Sequence, residues 1–314
     1  MSITKKIDEV TEIPEAYKNT ILPAPPSVKI ELTSHCNFRC SFCAHQLQGK
    51  TFGEMDQSFY KKIVQDMFDS GVRELGLFYI GESLLCSWLP EAIRYAKAVG
   101  FPYVFLTTNG SLATSEKIEP LMAAGLDSLK WSLNNADKWQ FRQITGMAPS
   151  MFDRIKSNVK MAYAIREQGN YKTRLYASSI KYNGDQWIAM QQLVEEIKPF
   201  VDEHYWLPLL SFGSKAKPEE MKLGLAPVVG NPGRADAMRP PLPCWACFKE
   251  GHITHDGKLS ACCFDSSDTW LMADLNKVNF MDGWNSKEFQ ELRKAHLNKD
   301  VHNTACAPCI YLGE

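Results

Sequence analysis

The sequence predicts an α/β fold built on a parallel sheet. Short apolar, strand-like runs alternate about six times with amphipathic, helix-like segments. Such alternation favours parallel strands joined by right-handed crossovers. Polar residues follow the strands, where parallel α/β folds place their sites. With 314 residues, 45% hydrophobic and 23% charged, the chain suits a core domain of about 200 residues and a smaller attached unit.

The strands and helices follow from apolar spacing and from the glycines that end helices. The predicted strands are, in chain order, SVKIELT, VRELGLFYI (72–80), PYVFLTTN, LDSLKWSLN, TRLYASSI and DEHYWLPLL. The predicted helices between them are QSFYKKIVQDMFDS, LPEAIRYAKAV, KIEPLMAA, Met151–Gln168 and Trp187–Ile197.

Composition divides the chain into four segments. Residues 1–27 end in ILPAPPS and are predicted to form an N-terminal arm, followed by the β-α repeats over 28–210. Residues 211–243, rich in Gly, Pro and Lys, are predicted to form a linker or lid. Residues 244–314 hold a hairpin-like run, HITHDGKLSACC, and a helix, and form a small Cys-rich unit. We expect His252 and His255 to be exposed turn residues of that hairpin.

Charge and cysteine content limit the function classes. The formal net charge of −1 gives no bulk attraction to nucleic acid or to an anionic membrane. No signal peptide and no apolar run of the ~18–20 residues of a membrane span is visible, so we expect a cytoplasmic protein. Its ten cysteines then indicate metal or redox chemistry rather than disulfides.

Three cysteines stand close together after the first strand. Cys36, Cys40 and Cys43 have three and then two residues between them. Three thiolates can hold three corners of a [4Fe–4S] cube and leave the fourth iron open to a ligand. The alternative is zinc, for which His35 or His45 would supply the fourth ligand.

CNFRCSFC, with the aromatic Phe42 before its last cysteine, resembles the CxxxCxxC signature of radical S-adenosylmethionine (SAM) enzymes. The resemblance implies a partial (βα)6 TIM-like barrel and a [4Fe–4S] cluster whose open iron is chelated by S-adenosyl-L-methionine. It also implies reductive cleavage of that molecule to a 5′-deoxyadenosyl radical, which abstracts hydrogen from a substrate. An external reducing partner, such as flavodoxin or ferredoxin, is implied as well.

Other strand ends match the same family. YIGE resembles its GGE motif, with Ile80 in place of the first glycine, and TTNG and SLN follow the third and fourth strands. The resemblance implies that these positions bind S-adenosyl-L-methionine, although each alone also suits a turn or a helix cap. The implied cofactor-binding residues are Phe42, Gly81, Glu82, Asn109, Ser132, Asn134 and Ser178.

The C-terminal cysteines resemble the SPASM or twitch auxiliary domain of this superfamily. The resemblance implies a second, fully ligated [4Fe–4S] cluster, which suits electron transfer, on Cys244, Cys262, Cys306 and Cys309. The alternative is a zinc ribbon of two CxxC pairs in a non-catalytic binding protein. Cys247 and Cys263 are not among the four cluster ligands. They are either buried small hydrophobic residues or thiols that return a hydrogen atom to a substrate radical.

The reaction stays open at this point. The cysteine spacing resembles the 2-deoxy-scyllo-inosamine dehydrogenase type and favours dehydrogenation of a small polar substrate such as an aminocyclitol or sugar. The alternatives are an aminoglycoside-type epimerase using Cys247 or Cys263 and a peptide-modifying enzyme. The 27 residues before the first strand are fewer than a winged-helix leader-binding domain needs, which favours a small molecule or a leader-free peptide. Aromatic and basic residues near strand ends are predicted to line the pocket: Tyr79, Arg174, Tyr176, Tyr205 and Trp206.

Overall fold

The computed structural model describes residues 2–43, 45, 52–211, 225–265 and 270–311. Its strands form one sheet in the order β6-β5-β4-β3-β2-β1-β7-β8-β9. The pairs from β6 through β1 to β7 are all parallel, whereas β7-β8 and β8-β9 are antiparallel. The predicted parallel α/β architecture is therefore confirmed.

All six strands predicted for the β-α repeats are present. Each is shorter than the predicted run, most of all the second, of which only Glu74–Gly76 is in the sheet. The strands are β1 Ser27–Ile30, β2 Glu74–Gly76, β3 Tyr103–Thr108, β4 Ser128–Ser132, β5 Arg174–Ile180, β6 Glu203–Leu207, β7 Glu250–Ile253, β8 Lys258–Ser260 and β9 Leu271–Asp274.

The predicted helices are present as well, and their ends follow the expected signals. The Asp56 side chain caps α2 by accepting a hydrogen bond from the Phe59 amide (2.8 Å), and Gly71 ends it at φ 109°. The helices are α1 Ile3–Thr11, α2 Gln57–Ser70, α3 Leu89–Val99, α4 Ser115–Ala123, α5 Lys138–Thr145, α6 Ser150–Gly169, α7 Gly184–Ile197, α8 Ala246–Lys249, α9 Phe280–Trp284, α10 Lys287–Leu297 and α11 Ala307–Ile310. None of the described helices has the length and apolar character that a membrane span requires.

The segment predicted as an arm, residues 1–27, contains helix α1, which packs against the sheet. The Ile3 amide donates to Glu203 at the start of β6 (2.8 Å). The guanidinium of Arg234 donates two hydrogen bonds to the Asp8 carboxylate (2.8 and 2.9 Å). The predicted N-terminal arm thus contains a helix, whose Ile3, Ile7 and Val10 line the barrel cavity.

The Cys-rich unit is continuous with the barrel sheet. β7 pairs in parallel with β1, with Lys29 opposite His252 and Ile30 opposite Ile253. The predicted hairpin is confirmed as β7 and β8. His252 and His255 are only 0% and 8% exposed, so the expectation of exposed turn residues is wrong, because both belong to a strand and turn packed against β1. Part of the predicted linker, residues 212–224, lies outside the described residues.

A close backbone approach positions the loop that carries the three cysteines. A Cβ on Gly81 would lie 2.2 Å from the Thr33 carbonyl oxygen and 2.8 Å from that of His35. The Glu82 amide donates to the same His35 carbonyl (2.8 Å). Only glycine at position 81 allows the turn after β2 to lie against the segment that leads to Cys36.

We expect Gly81→Ala to displace the cysteine loop. Forcing a methyl group into a packed backbone contact costs about 1–3 kcal/mol, so the melting temperature should fall and the cysteine loop should retain less iron after reconstitution. Gly184→Ala is the control, since its φ of 56° imposes backbone strain, nothing lies within 4 Å of the added Cβ, and it stands at the start of α7 rather than beside the cysteine loop. Equal melting temperatures and equal iron contents for the two variants would contradict this role of Gly81.

Candidate active site

The three cysteines of the first motif form a half-buried group after β1. Burial raises the pKa of Cys36 to about 11, with Glu82 and Cys43 adding to the shift. Burial also raises the pKa of Cys40, and the charges of Cys43 and Cys36 add to it. Neighbouring thiols that resist ionisation need a bound cation to become thiolates, and this fits the predicted iron–sulfur cluster.

Helix α5, which the sequence analysis missed, holds this loop. The Ser41 amide donates to the Ile144 carbonyl (2.8 Å) and the Arg39 amide to that of Thr145 (3.3 Å). This helix is only eight residues long; Asp137 caps its start and Gly146 ends it. Those two capping residues were the available signal.

Glu82 and Asn109 are brought together as predicted. The buried Glu82 carboxylate accepts hydrogen bonds from the Thr108 hydroxyl and the Asn109 amide, both at 2.8 Å. The Asn109 side chain donates to the Asn37 side-chain oxygen (2.9 Å) and hydrogen-bonds the Cys36 thiol. Asn37, inside the CxxxC motif, was not singled out from the sequence. The strand ends therefore connect directly to the cysteine loop.

Unsatisfied polar atoms lie at the same edge of the sheet. β4 and β5 place Ser132 opposite Ser178. The buried Ser178 hydroxyl and Asn134 side-chain oxygen have no hydrogen-bond partner among the described residues. Leaving such atoms unpaired is costly, so this edge fits a polar ligand such as S-adenosyl-L-methionine. Phe42 is buried in the core, and its contact with that ligand stays a prediction.

Five of the six C-terminal cysteines line one cavity. Burial raises the pKa of Cys306, and the charges of Cys244 and Cys309 add to it. Among the described residues, no three His, Cys, Asp or Glu side chains surround a single metal-ion position. Thiols spread around a cavity suit a cube in which each iron takes one sulfur. The cysteines lining the cavity are Cys244, Cys247, Cys262, Cys306 and Cys309.

His296 connects two of these cysteines and was not singled out from the sequence. The Cys244 amide donates to His296 Nδ1 (3.2 Å), and His296 Nε2 lies 3.3 Å from Cys306 Sγ. Burial lowers the pKa of His296 to about 4, so the ring is neutral. Because Nδ1 accepts, the ring proton is on Nε2 and is donated to the sulfur.

The two remaining cysteines face different cavities. Cys247 lines the enclosed cysteine cavity, and its thiol donates to the Cys244 carbonyl (3.5 Å). Cys263 instead lines a cavity of about 210 Å³ in the barrel interior. The Asn231 side-chain amide donates to Cys263 Sγ (3.5 Å). Of the two predicted hydrogen donors, only Cys263 reaches the barrel interior.

The barrel cavity holds a buried polar network. Lys29 Nζ lies 2.8 Å from Glu250 Oε2, which also lies 3.0 Å from His252 Nε2. Burial alone would raise the pKa of Glu250, but Lys29 and His252 outweigh it and hold that pKa at about 2. Burial lowers the pKa of His252 despite the nearby Glu250. The network is therefore an ammonium–carboxylate pair with a neutral imidazole.

Two of the five residues predicted to line the pocket do so, namely Tyr176 and Tyr205. The other three have different contacts. The Tyr79 hydroxyl hydrogen-bonds the Cys262 carbonyl (2.8 Å), Arg174 lies 3.3 Å from Asp202, and Trp206 packs on Trp187.

Comparison with known proteins agrees with this geometry. The model of the radical SAM superfamily matches residues 30–170, and that of the SPASM iron–sulfur cluster-binding domain matches residues 244–310. GTP 3′,8-cyclase of Chlorobaculum tepidum is 30% identical over 190 residues, 57% of this chain and 56% of that protein. PqqA peptide cyclase of Xanthomonas euvesicatoria is 30% identical over 151 residues, 48% of this chain and 39% of that protein. The chain thus spans about half the length of the curated relatives it matches.

Solved structures share the fold at low sequence identity. BtrN in complex with AdoMet and 2-DOIA is 17% identical with a TM-score of 0.60, over 90% of this chain and 91% of that one. Streptococcus suis SuiB bound to its precursor peptide SuiA is 13% identical with a TM-score of 0.66, over 91% of this chain and 68% of that one. The predicted barrel followed by a Cys-rich domain is confirmed, and iron–sulfur clusters are favoured over zinc. The chain therefore carries a radical SAM domain and a C-terminal SPASM domain, and these domains imply S-adenosyl-L-methionine, a [4Fe–4S] cluster and further iron–sulfur ligation in the SPASM domain as its cofactors.

Proposed function

We propose that this radical SAM enzyme dehydrogenates a small polar substrate, such as an aminocyclitol or a sugar, in the barrel cavity. The observation that carries the proposal is the 210 Å³ cavity, which the buried Lys29–Glu250 pair lines. Ligand pockets typically measure about 300–1,000 Å³, so this volume favours a small molecule. The charged, hydrogen-bonding side chains in the wall of this cavity favour a polar molecule.

The cofactors supply the radical chemistry. When bound, the first cluster and S-adenosyl-L-methionine supply a radical that takes one hydrogen atom, and the auxiliary cluster supplies an acceptor for one electron. Cys36, Cys40 and Cys43 hold the first cluster in this proposal, and Cys244, Cys262, Cys306 and Cys309 the second. An external reductant of the flavodoxin or ferredoxin kind provides the starting electron.

Oxidation of a substrate alcohol also releases one proton, which this chain must accept. His252 is neutral, and its Nε2 faces Glu250 while its buried Nδ1 has no partner among the described residues. Of the three residues in this network, only Lys29 and Glu250 line the cavity, and a proton acceptor must reach the substrate. We therefore assign proton acceptance to the Glu250 carboxylate and substrate orientation to Lys29, with His252 fixing Glu250 from behind.

Epimerisation is the second candidate, and the position of Cys263 favours it. A thiol in the cavity can break its S–H bond and form a C–H bond on the substrate radical. The sulfur radical left behind then takes one electron from the external reductant and one proton from solvent. The likeness of the fold to SuiB keeps peptide modification as a further alternative.

The proposed reaction is tested with anaerobically reconstituted enzyme, dithionite, S-adenosyl-L-methionine and a panel of deuterated aminocyclitols and sugars. We expect deuterium in 5′-deoxyadenosine and a product that has lost one deuterium and one hydrogen. A product one mass unit lighter than the labelled substrate, in which one hydrogen from water has replaced the abstracted deuterium, would instead establish epimerisation. Turnover of peptides but of no sugar or aminocyclitol would contradict the proposed substrate class.

Cys263→Ala separates the two candidates. For dehydrogenation we expect the ratio of product to 5′-deoxyadenosine to stay within about twofold of the native ratio, because no thiol is consumed. An epimerase would lose its product while it continued to form 5′-deoxyadenosine. Cys86→Ala is the matched control, since Cys86 is buried outside both cavities. Loss of product in the Cys263 variant alone would overturn dehydrogenation.

A further inference from the structure

Three lysines line the barrel cavity, and two of them are paired. Lys6 pairs with Glu74, and Lys29 with Glu250. Lys130, in the middle of β4, has no carboxylate partner among the residues that the structure describes. Its ammonium lies 5.7 Å from the centre of the Tyr205 ring. The described charged side chains that line the cavity therefore sum to one uncompensated positive charge.

Lys130 is half-buried, so its ammonium keeps part of its hydration and has room for an anion as its partner. A cation–π contact at this distance contributes only about 0.5–2 kcal/mol, which leaves the charge largely uncompensated. Helix α1 and the 225–245 segment contribute Ile3, Ile7 and Asn231 to the lining of the cavity. The uncompensated charge thus indicates an anionic ligand.

We propose that Lys130 anchors an anionic group, a carboxylate or a phosphate, on the substrate. Lys130 precedes Ser132 by two residues on the same face of β4, a rise of about 7 Å along the strand. An anion at Lys130 therefore lies one strand layer below the edge predicted to bind S-adenosyl-L-methionine, and a substrate of sugar size spans the gap. This inference takes the substrate position from the proposed function, but its test needs no turnover.

The test measures melting temperatures of reconstituted enzyme with inorganic phosphate or acetate, at an ionic strength matched with chloride. We expect at least one anion to raise the melting temperature of the native protein and of Lys130→Arg, but not of Lys130→Met. Without added anion, Lys130→Met should melt at or above the native temperature, because it removes an unpaired charge. Lys172→Met is the control, because Lys172 is an exposed lysine before β5 and its loss should leave the anion response intact.

A lower melting temperature for Lys130→Met without anion, or an equal response of that variant to anions, would overturn the site. So would the absence of any response in the native protein. The relative effects of phosphate and acetate show which group the cavity prefers. If anions bind at Lys130 and no sugar or aminocyclitol is oxidised, the proposed reaction fails while the anion site stands.

A second inference rests on His296 and is independent of the cavity. The Cys244 amide fixes the ring through Nδ1, and this leaves Nε2–H directed at Cys306 Sγ. Hydrogen bonds donated to cluster sulfurs stabilise the more negative, reduced state and raise the reduction potential. We infer that His296 is a positioning residue that raises the reduction potential of the auxiliary cluster.

The test is a redox titration of the reconstituted enzyme followed by electron paramagnetic resonance. We expect His296→Phe, which keeps a ring against Phe248, to shift the auxiliary potential to more negative values. His296→Gln restores an N–H donor and should return it toward the native value, and the first cluster is the internal reference. An unchanged auxiliary potential in His296→Phe, or loss of the cluster in both variants, would overturn the inference.

Discussion

The backbone ladder between β1 and β7 is the constraint on which the rest of the structure depends. The ladder begins at Ser27, which pairs with Glu250. It ends at the hydrogen bond that the Glu31 amide donates to the Ile253 carbonyl (2.9 Å). Neighbours in a parallel pair point to the same side of the sheet. Pairing therefore places Lys29 beside His252 and brings Glu250 into the barrel. Because the same strand leads to Cys36, the ladder also fixes the relation between the first cysteine loop and the SPASM unit.

This pairing explains why the barrel interior is charged. A buried ion pair rarely adds stability, since desolvation of the two groups offsets their attraction. Lys29 and Glu250 are 17% and 5% exposed in their side chains, so a purely structural role would be better filled by apolar residues. A charged pair in a cavity wall fits the proposed recognition of a polar substrate. The same reasoning gives weight to Lys130, which has no compensating carboxylate among the described residues.

Local signals predicted the β-α repeats and the strand-end positions well. Gly81, Glu82 and Asn109 meet because carboxyl ends of parallel strands share one edge, and this follows from strand order alone. The buried state of His252, the reach of His296 toward Cys306 and the packing of α1 depend on partners far away in the chain. The Asp8–Arg234 pair, for example, joins residues 226 positions apart. No periodicity in one sequence specifies such pairings, so the cavity and its charges had to come from the structure.

Cys262 and Cys263 show how closely the two sites are connected. Adjacent residues beside a strand point in opposite directions, so one thiol faces the enclosed cysteine cavity and its neighbour faces the barrel cavity. The Tyr79 hydroxyl holds the Cys262 carbonyl, and two residues later Gly81 packs on the loop that leads to Cys36. The turn after β2 therefore contacts both the backbone of Cys262 and the loop that leads to Cys36. Because adjacent thiols line the two cavities, a substrate bound in the barrel cavity as proposed would lie near both the auxiliary cysteine site and the Cys263 thiol. In this proposal, the reactivity of Cys263 decides between oxidation and epimerisation.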